Sequence, residues 1–255
     1  MSNAAKWADL IPRAGSAIVL LVVGLACVWF GGLWYSALIA LAVGCMIYEL
    51  RLLGKARDHK VAVFLGGLAA VLTWFLPVLP NITILPVVAG MIAATIGGVR
   101  KPFPIGAAAG AIILAGFVLV SLRTDAGIVW VFWLLFVVIA SDVAGYFVGK
   151  TFGGPKFWPR LSPKKTWSGT VGGWVAAGVI GGLFAATTGA GPILIPISAA
   201  MAFAAQLGDI GESWLKRRAG VKDSSRLIPG HGGFMDRFDG LVGACMIALF
   251  VVGAL

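Results

Sequence analysis

The chain has 255 residues, is 60% hydrophobic and only 12% charged, and its mean hydropathy is +0.98. A soluble domain carries about 25% charged residues, so this composition excludes an ordinary globular protein and points to an integral membrane protein. The 20 Lys and Arg outnumber the 10 Asp and Glu, but the bases fall in loops between apolar runs, which argues for membrane topology and phosphate-bearing ligands and against nucleic acid.

The elements follow in chain order. The start, "MSNAAKWADLIPRAGSAIVLLVVGLACVWFGG", has a weakly charged leader, an apolar run and no good A-x-A cleavage site, which predicts a retained first helix over 15–31. Eight more apolar segments follow, at 33–50, 61–79, 82–99, 104–121, 127–149, 170–188, 192–209 and 239–255. Each comes near the roughly 20 residues that a span requires. With the N-terminus cytoplasmic, the inside loops are 51–60, 100–103, 150–169 and 210–238, and Arg123 is the one basic residue left outside. That satisfies the positive-inside rule and puts the C-terminus in the periplasm. The expectation is therefore an all-α integral membrane protein of about nine transmembrane helices. Residues 1–125 would hold about five N-terminal spans. Residues 126–255 would form a second membrane domain carrying the long cytoplasmic loops 150–169 and 210–238.

Three features are read as packing. Cys27, Cys45 and Cys245 lie in apolar runs at spacings that suit neither zinc nor a disulfide framework. Gly106/Gly110, Gly169/Gly173 and Gly178/Gly182 let helix backbones approach, within one chain rather than between chains. Trp7, Trp34, Trp130 and Trp167 at span ends fit an interfacial belt.

The chemistry concentrates in four places. Asp142, in "FVVIASDVAGYFVGK", lies inside a span, where a carboxylate must face a polar cavity, a metal or a cation. In "QLGDIGESWLKRR", Asp209, Glu212, Ser213 and Lys216 recur at helical spacing and share one face. This is either an amphipathic helix end with internal ion pairs or a metal ligand set with phosphate contacts. The basic clusters "KKTWSG" and "KRRAGVKD" either enforce topology or bind a triphosphate. The fourth is "IPGHGGFMDRFDG", where successive glycines free amide groups for an anion and Asp236 and Asp239, three apart, suggest Mg²⁺. His231 would contact a phosphate or orient a ligand. "GYFVGKT" resembles a phosphate-binding P-loop but has Ala144 where the first glycine belongs, and it follows a membrane helix.

The segment "SWLKRRAGVKDSSRLIPGHGGFMDRFD" resembles the signature of the phosphatidate cytidylyltransferases, or CDP-diacylglycerol synthases. Every specified position is filled, by Ser213, Lys216, Arg217, Lys222, Asp223, Ser225, Pro229, His231, Gly232, Gly233, Asp236, Arg237 and Asp239. Upstream, "SDVAGYFVGKTFGGPKFWPRLSPKKTWSG" is similar to a second block of the family, with Asp142, Tyr146, Gly149, Ser162, Pro163, Lys164, Lys165, Thr166 and Gly169 in place. Gly145 stands where the family has Ala, and Ser168 where it has Glu. The match covers roughly 141–239; residues 1–140 are similar only as hydrophobic spans.

The resemblance implies transfer of the CMP moiety of CTP to phosphatidic acid, giving CDP-diacylglycerol and pyrophosphate. It implies Mg²⁺, with a second Mg²⁺ or K⁺, and a multi-pass enzyme of the bacterial inner membrane, often a homodimer, with its active site facing the cytoplasm. The catalytic set would be Asp209, Asp236, Lys216, Arg237 and His231. The metal ligands would be Asp209, Asp236, Asp142 and Asp239. Substrate would be held by Ser162, Lys164, Lys165, Thr166, Ser213, Arg217, Lys222, Asp223, Gly232 and Gly233. The alternatives are a CTP-dependent transferase acting on another lipid phosphate and, in a different class, a secondary transporter; the one-sided placement of the acidic residues opposes the latter.

Overall fold

The computed structural model describes residues 3–54, 58–75, 84–96 and 99–252, with side chains from residue 15 onward. The side chain of Trp7, the outside loop at 79–82, the ends of the segments 61–79, 82–99 and 239–255, and part of the loop 51–60 lie outside the described residues. Each of the nine apolar segments contributes a helix, though 82–99 is helical only as far as Ala93 and turns at 94–96: α1 (Asn3–Phe30), α2 (Gly32–Leu53), α3 (His59–Phe75), α4 (Ile84–Ala93), α5 (Pro102–Ser121), α6 (Ile128–Phe152), α7 (Trp167–Thr188), α8 (Leu194–Ala219) and α9 (Met235–Val252). Among the described residues, five helical stretches are long and apolar enough to cross a membrane: Gly32–Leu53, Pro102–Ala126, Ile128–Phe152, Trp167–Thr188 and Leu194–Ala219. The chain is a multi-pass membrane protein.

Three features refine the sequence expectation. The fold is all-α in the main, with a short antiparallel hairpin in the loop 150–169, β1 (Lys156–Trp158) and β2 (Ser162–Thr166). Helix α8 runs past 209 to Ala219, because the polar residues there sit on one face of a continuing helix; Gly220, at φ +78°, then ends it. Helix α9 begins at Met235, so Asp236 lies in its first turn. The P-loop-like segment is helical throughout, within α6.

The chain divides into two compact units. The first comprises Met1–Val120 with Ala219–Phe238. There α2 and α3 cross backbone to backbone, since a Cβ on Gly44 would lie 2.9 Å from the Gly66 carbonyl oxygen. Close approach through bare glycines is how helices associate where lipid supplies no hydrophobic drive. Gly106 packs on the Met91 backbone and Gly110 on the Met91 side chain. Arg51, buried on α2, donates to the carbonyls of Ala94 (2.9 Å) and Ile96 past the end of α4. These carbonyls would otherwise lack partners.

The second unit comprises Ser121–Arg218 with Asp239–Leu255. A π-helical turn, Leu122–Ala126, and Gly127 at φ +97° lead into α6. Helices α6 and α7 cross at Gly145, Gly149 and Gly169. Several polar groups inside this unit are paired. Trp133 Nε1 donates to Ser198 Oγ (2.9 Å), Trp174 Nε1 to Gln206 Oε1 (3.0 Å), and Gln206 Nε2 to the Thr170 carbonyl (3.3 Å). Gly178 and Gly182 pack on Ile195.

Candidate functional site

In the first unit the glycine-rich segment forms a tight turn. Ile228 N donates to the Gly232 carbonyl (2.8 Å) and His231 N to the Ile228 carbonyl (3.0 Å). Gly230 and Gly232 take φ of +73° and +86°, a region that disfavours any side chain. Arg237 donates from Nε and Nη2 to the His231 carbonyl at 3.0 and 2.9 Å, so its guanidinium closes the turn. Ser16 Oγ donates to the Pro229 carbonyl (2.9 Å) and lies 2.8 Å from His231 Nδ1. The Asp236 carboxylate folds back on the segment before it. Its Oδ2 accepts from Gly233 N (2.8 Å), Ser224 N (2.9 Å) and Ser224 Oγ (2.9 Å). Lys222 and Asp223 are exposed on the same segment.

Sequence reasoning missed Glu49 here. It lies within α2, is completely buried, and accepts hydrogen bonds from Ser224, Ser225, Phe234 and Met235. The signal was available: an acid inside "CMIYELRLL" is costly unless it has a task.

In the second unit three carboxylates converge. Asp209 and Glu212 on α8 and Asp239 on α9 each offer an oxygen within 4.8 Å of the others. The glycines explain how. A Cβ on Gly208 would strike the Asp239 carbonyl, and one on Gly243 the Ala204 carbonyl, so only glycine lets the two helices come this close. Glu212 and Asp239 thus face each other as like charges. Two carboxylates hold that position only with a proton or a cation between or beside them.

Lysines surround the group. Lys216 Nζ meets Glu212 Oε2 at 2.8 Å, and Lys165 forms an ion pair with Asp209. Lys165 lies on β2, half-buried between exposed Lys164 and buried Thr166. Ser213 Oγ donates to Asp209 Oδ1 at 3.5 Å, a long bond. The internal ion pair expected of the α8 face is present, and it shares Glu212 with the acidic cluster. Asp142, exposed on α6, lies within electrostatic reach of Lys165 and Asp209. Lys164 and Arg217 are exposed, and Ser162 opens β2. Thr166 is buried as the N-cap of α7, its Oγ1 accepting from Gly169 N at 3.2 Å. Ser168 bonds the Gly153 carbonyl and lies 3.1 Å from Thr166 Oγ1, which fastens the hairpin to α7.

Fold and side chains together define a multi-pass membrane protein equipped with converging carboxylates, lysines and a glycine turn, the groups that handle cations and phosphates. Residues 11–255 match the Cytidylyltransferase family, and the chain belongs to it. It is 38% identical, over 97% of its length and 94% of the relative's, to a protein named phosphatidate cytidylyltransferase from Brucella suis biovar 1 (strain 1330). Proteins of that name from Mycobacterium bovis (strain ATCC BAA-935 / AF2122/97) and Helicobacter pylori (strain ATCC 700392 / 26695) are 43% and 41% identical. Those matches cover 48% and 49% of this chain and 41% and 48% of the relatives. The resemblance read from the two motif blocks is borne out.

Proposed function

We propose that the chain transfers the CMP moiety of CTP to phosphatidic acid, releasing pyrophosphate, in the synthesis of CDP-diacylglycerol. The observation that carries this is the 38% identity to a phosphatidate cytidylyltransferase along nearly the whole chain, with the two motif blocks supplying charged groups in both units. A phosphate oxygen of the lipid attacks the α-phosphorus of CTP. A new P–O bond forms, the bond to the bridging oxygen of pyrophosphate breaks, and pyrophosphate leaves with that electron pair. No protein nucleophile is needed. The chain supplies position and neutralising charge, as in phosphoryl transfer generally.

Lys164, Lys165, Lys216, Arg217, Lys222 and Arg237 are proposed to hold phosphate oxygens. The donor set of Asp209, Glu212 and Asp239 suits a hard cation that takes carboxylate oxygens together with substrate phosphates. Asp142 and Asp236 are carried in the same proposal as metal ligands. When bound, Mg²⁺ would offset negative charge on the reacting and departing phosphates. The enzyme is proposed to lie in the inner membrane with these groups on the cytoplasmic side, because one substrate stays in the leaflet and the other is dissolved in the cytosol.

The test is purified protein given CTP labelled in its cytosine ring and phosphatidic acid, with and without Mg²⁺. Label should enter the lipid fraction only when Mg²⁺ is present. Absence of lipid label, beside an active control enzyme, would overturn the reading.

A further inference from the structure

Glu49 is an acid inside an apolar helix, and all four of its donors come from one distant stretch of chain. Its Oε1 accepts from Ser225 Oγ (2.5 Å) and Phe234 N (2.9 Å); its Oε2 accepts from Met235 N (2.7 Å) and Ser224 Oγ (3.2 Å). Phe234 N and Met235 N open α9, where no helical carbonyl can serve them. The carboxylate therefore does the work of an N-cap from another helix, and the positive end of α9 favours its charge.

The contact continues into the site. The Ser224 hydroxyl has a single proton, yet its oxygen lies within bonding distance of both Glu49 Oε2 and Asp236 Oδ2. Gly233 occupies the fork between them, and a Cβ there would collide with Ser224 Oγ and Glu49 Oε1. Glu49, Ser224 and Asp236 thus form one hydrogen-bonded series, with the glycine turn and Arg237 attached to it.

We infer that Glu49 is a positioning residue for the transfer reaction: it locks the segment from Ser224 to Asp236 and, through Ser224, fixes how the Asp236 carboxylate is presented. This rests on the function proposed above. A mere anchor of the fold would affect stability in proportion to activity; a positioning residue lowers kcat without a matching loss of stability.

The experiment uses the full chain in detergent as wild type, Glu49→Gln, Ser224→Ala and Ser224→Thr. Amide hydrogen exchange of residues 224–237, thermal unfolding, and kcat and KM for both substrates are measured. Glutamine keeps the size of Glu49 but turns an N–H₂ toward one of the backbone donors. Exchange at 233–236 should rise about tenfold or more, and kcat should fall about 30-fold with KM within about threefold. Ser224→Ala leaves three of the four donors to Glu49 in place, so it should unfold as wild type does while losing about tenfold in kcat, and Ser224→Thr should restore the loss.

Wild-type exchange and kcat in Glu49→Gln would overturn the inference. So would a loss in Ser224→Ala that tracks lowered stability and is not restored by threonine. If Glu49→Gln does not fold, the two Ser224 variants decide by the same criteria. Hydrogen exchange needs no substrate, so a wild type inactive on CTP and phosphatidic acid would refute the proposed function while the exchange comparison still judged Glu49.

Discussion

The two units use carboxylates in opposite ways. In the first, the described donors to Glu49 and Asp236 are neutral: four groups point at one and three at an oxygen of the other, the Ser224 hydroxyl being shared between them. In the second, Asp209, Glu212 and Asp239 face one another, with Asp142 in electrostatic reach, and the partners given for them include Lys165 and Lys216. Among the described residues this brings four carboxylates together with Lys165 and Lys216. Amide donors immobilise a carboxylate, whereas an excess of like charge attracts a divalent cation. One region is built to hold a shape, the other to hold a charge.

The largest effects should come from removing that charge. Asp209→Asn and Asp236→Asn should each lower CMP transfer by about 10³-fold or more with folding retained. They should differ in a second measurement. Mg²⁺ should raise the unfolding temperature of the wild type, and Asp209→Asn should abolish that rise while leaving hydrogen exchange at 224–237 unchanged. Near-normal turnover in either variant would remove that residue from the site.

Next comes the buried ion pair. Glu212 is 3% exposed beside Lys216, so Lys216→Met would leave it among other acids and should destabilise the protein by about 3 kcal/mol. Denaturant unfolding in detergent measures this. Added Mg²⁺ should recover part of the loss if the acids take a cation; a loss unchanged by Mg²⁺ would make this region a structural ion network like the first.

Smaller still, Gly233→Ala would press a methyl between Ser224 and Glu49, at a cost of about 1–3 kcal/mol. Faster hydrogen exchange confined to the glycine turn would register it. Away from the acidic groups, Ser168→Ala gives up the bonds that fasten the hairpin and should cost about 1 kcal/mol in unfolding free energy. Gly145→Ala should have the least effect. Its Cβ would lie 3.3 Å from the Gly169 carbonyl, so the α6–α7 crossing has to give by only a few tenths of an ångström.

Much of this was legible in the sequence. Apolar run lengths located every helix, because a segment crossing lipid must satisfy its backbone internally and present apolar side chains outward. The spacing of Asp209, Glu212 and Lys216 placed them on one helix face, and there they are. The β-hairpin was not legible: three- and five-residue strands rich in lysine and proline carry no usable alternation. The apolar pattern alone stops at 209, and only the helical spacing of the polar residues beyond it carries α8 onward. Thr166 looked like a phosphate ligand in a basic cluster, and the folded chain shows its hydroxyl capping α7.

The sequence by itself determined the membrane class, the helix positions, the family motifs and the inventory of charged groups, since each of these depends on local composition or short spacing. Tertiary structure alone decided what each charge does. Asp239 joins Asp209 and Glu212 because Gly208 and Gly243 let two helix backbones touch. Glu49 meets Phe234 across 185 positions of sequence. No periodicity reports such a distance; it follows from how a buried carboxylate must find donors once water has been excluded.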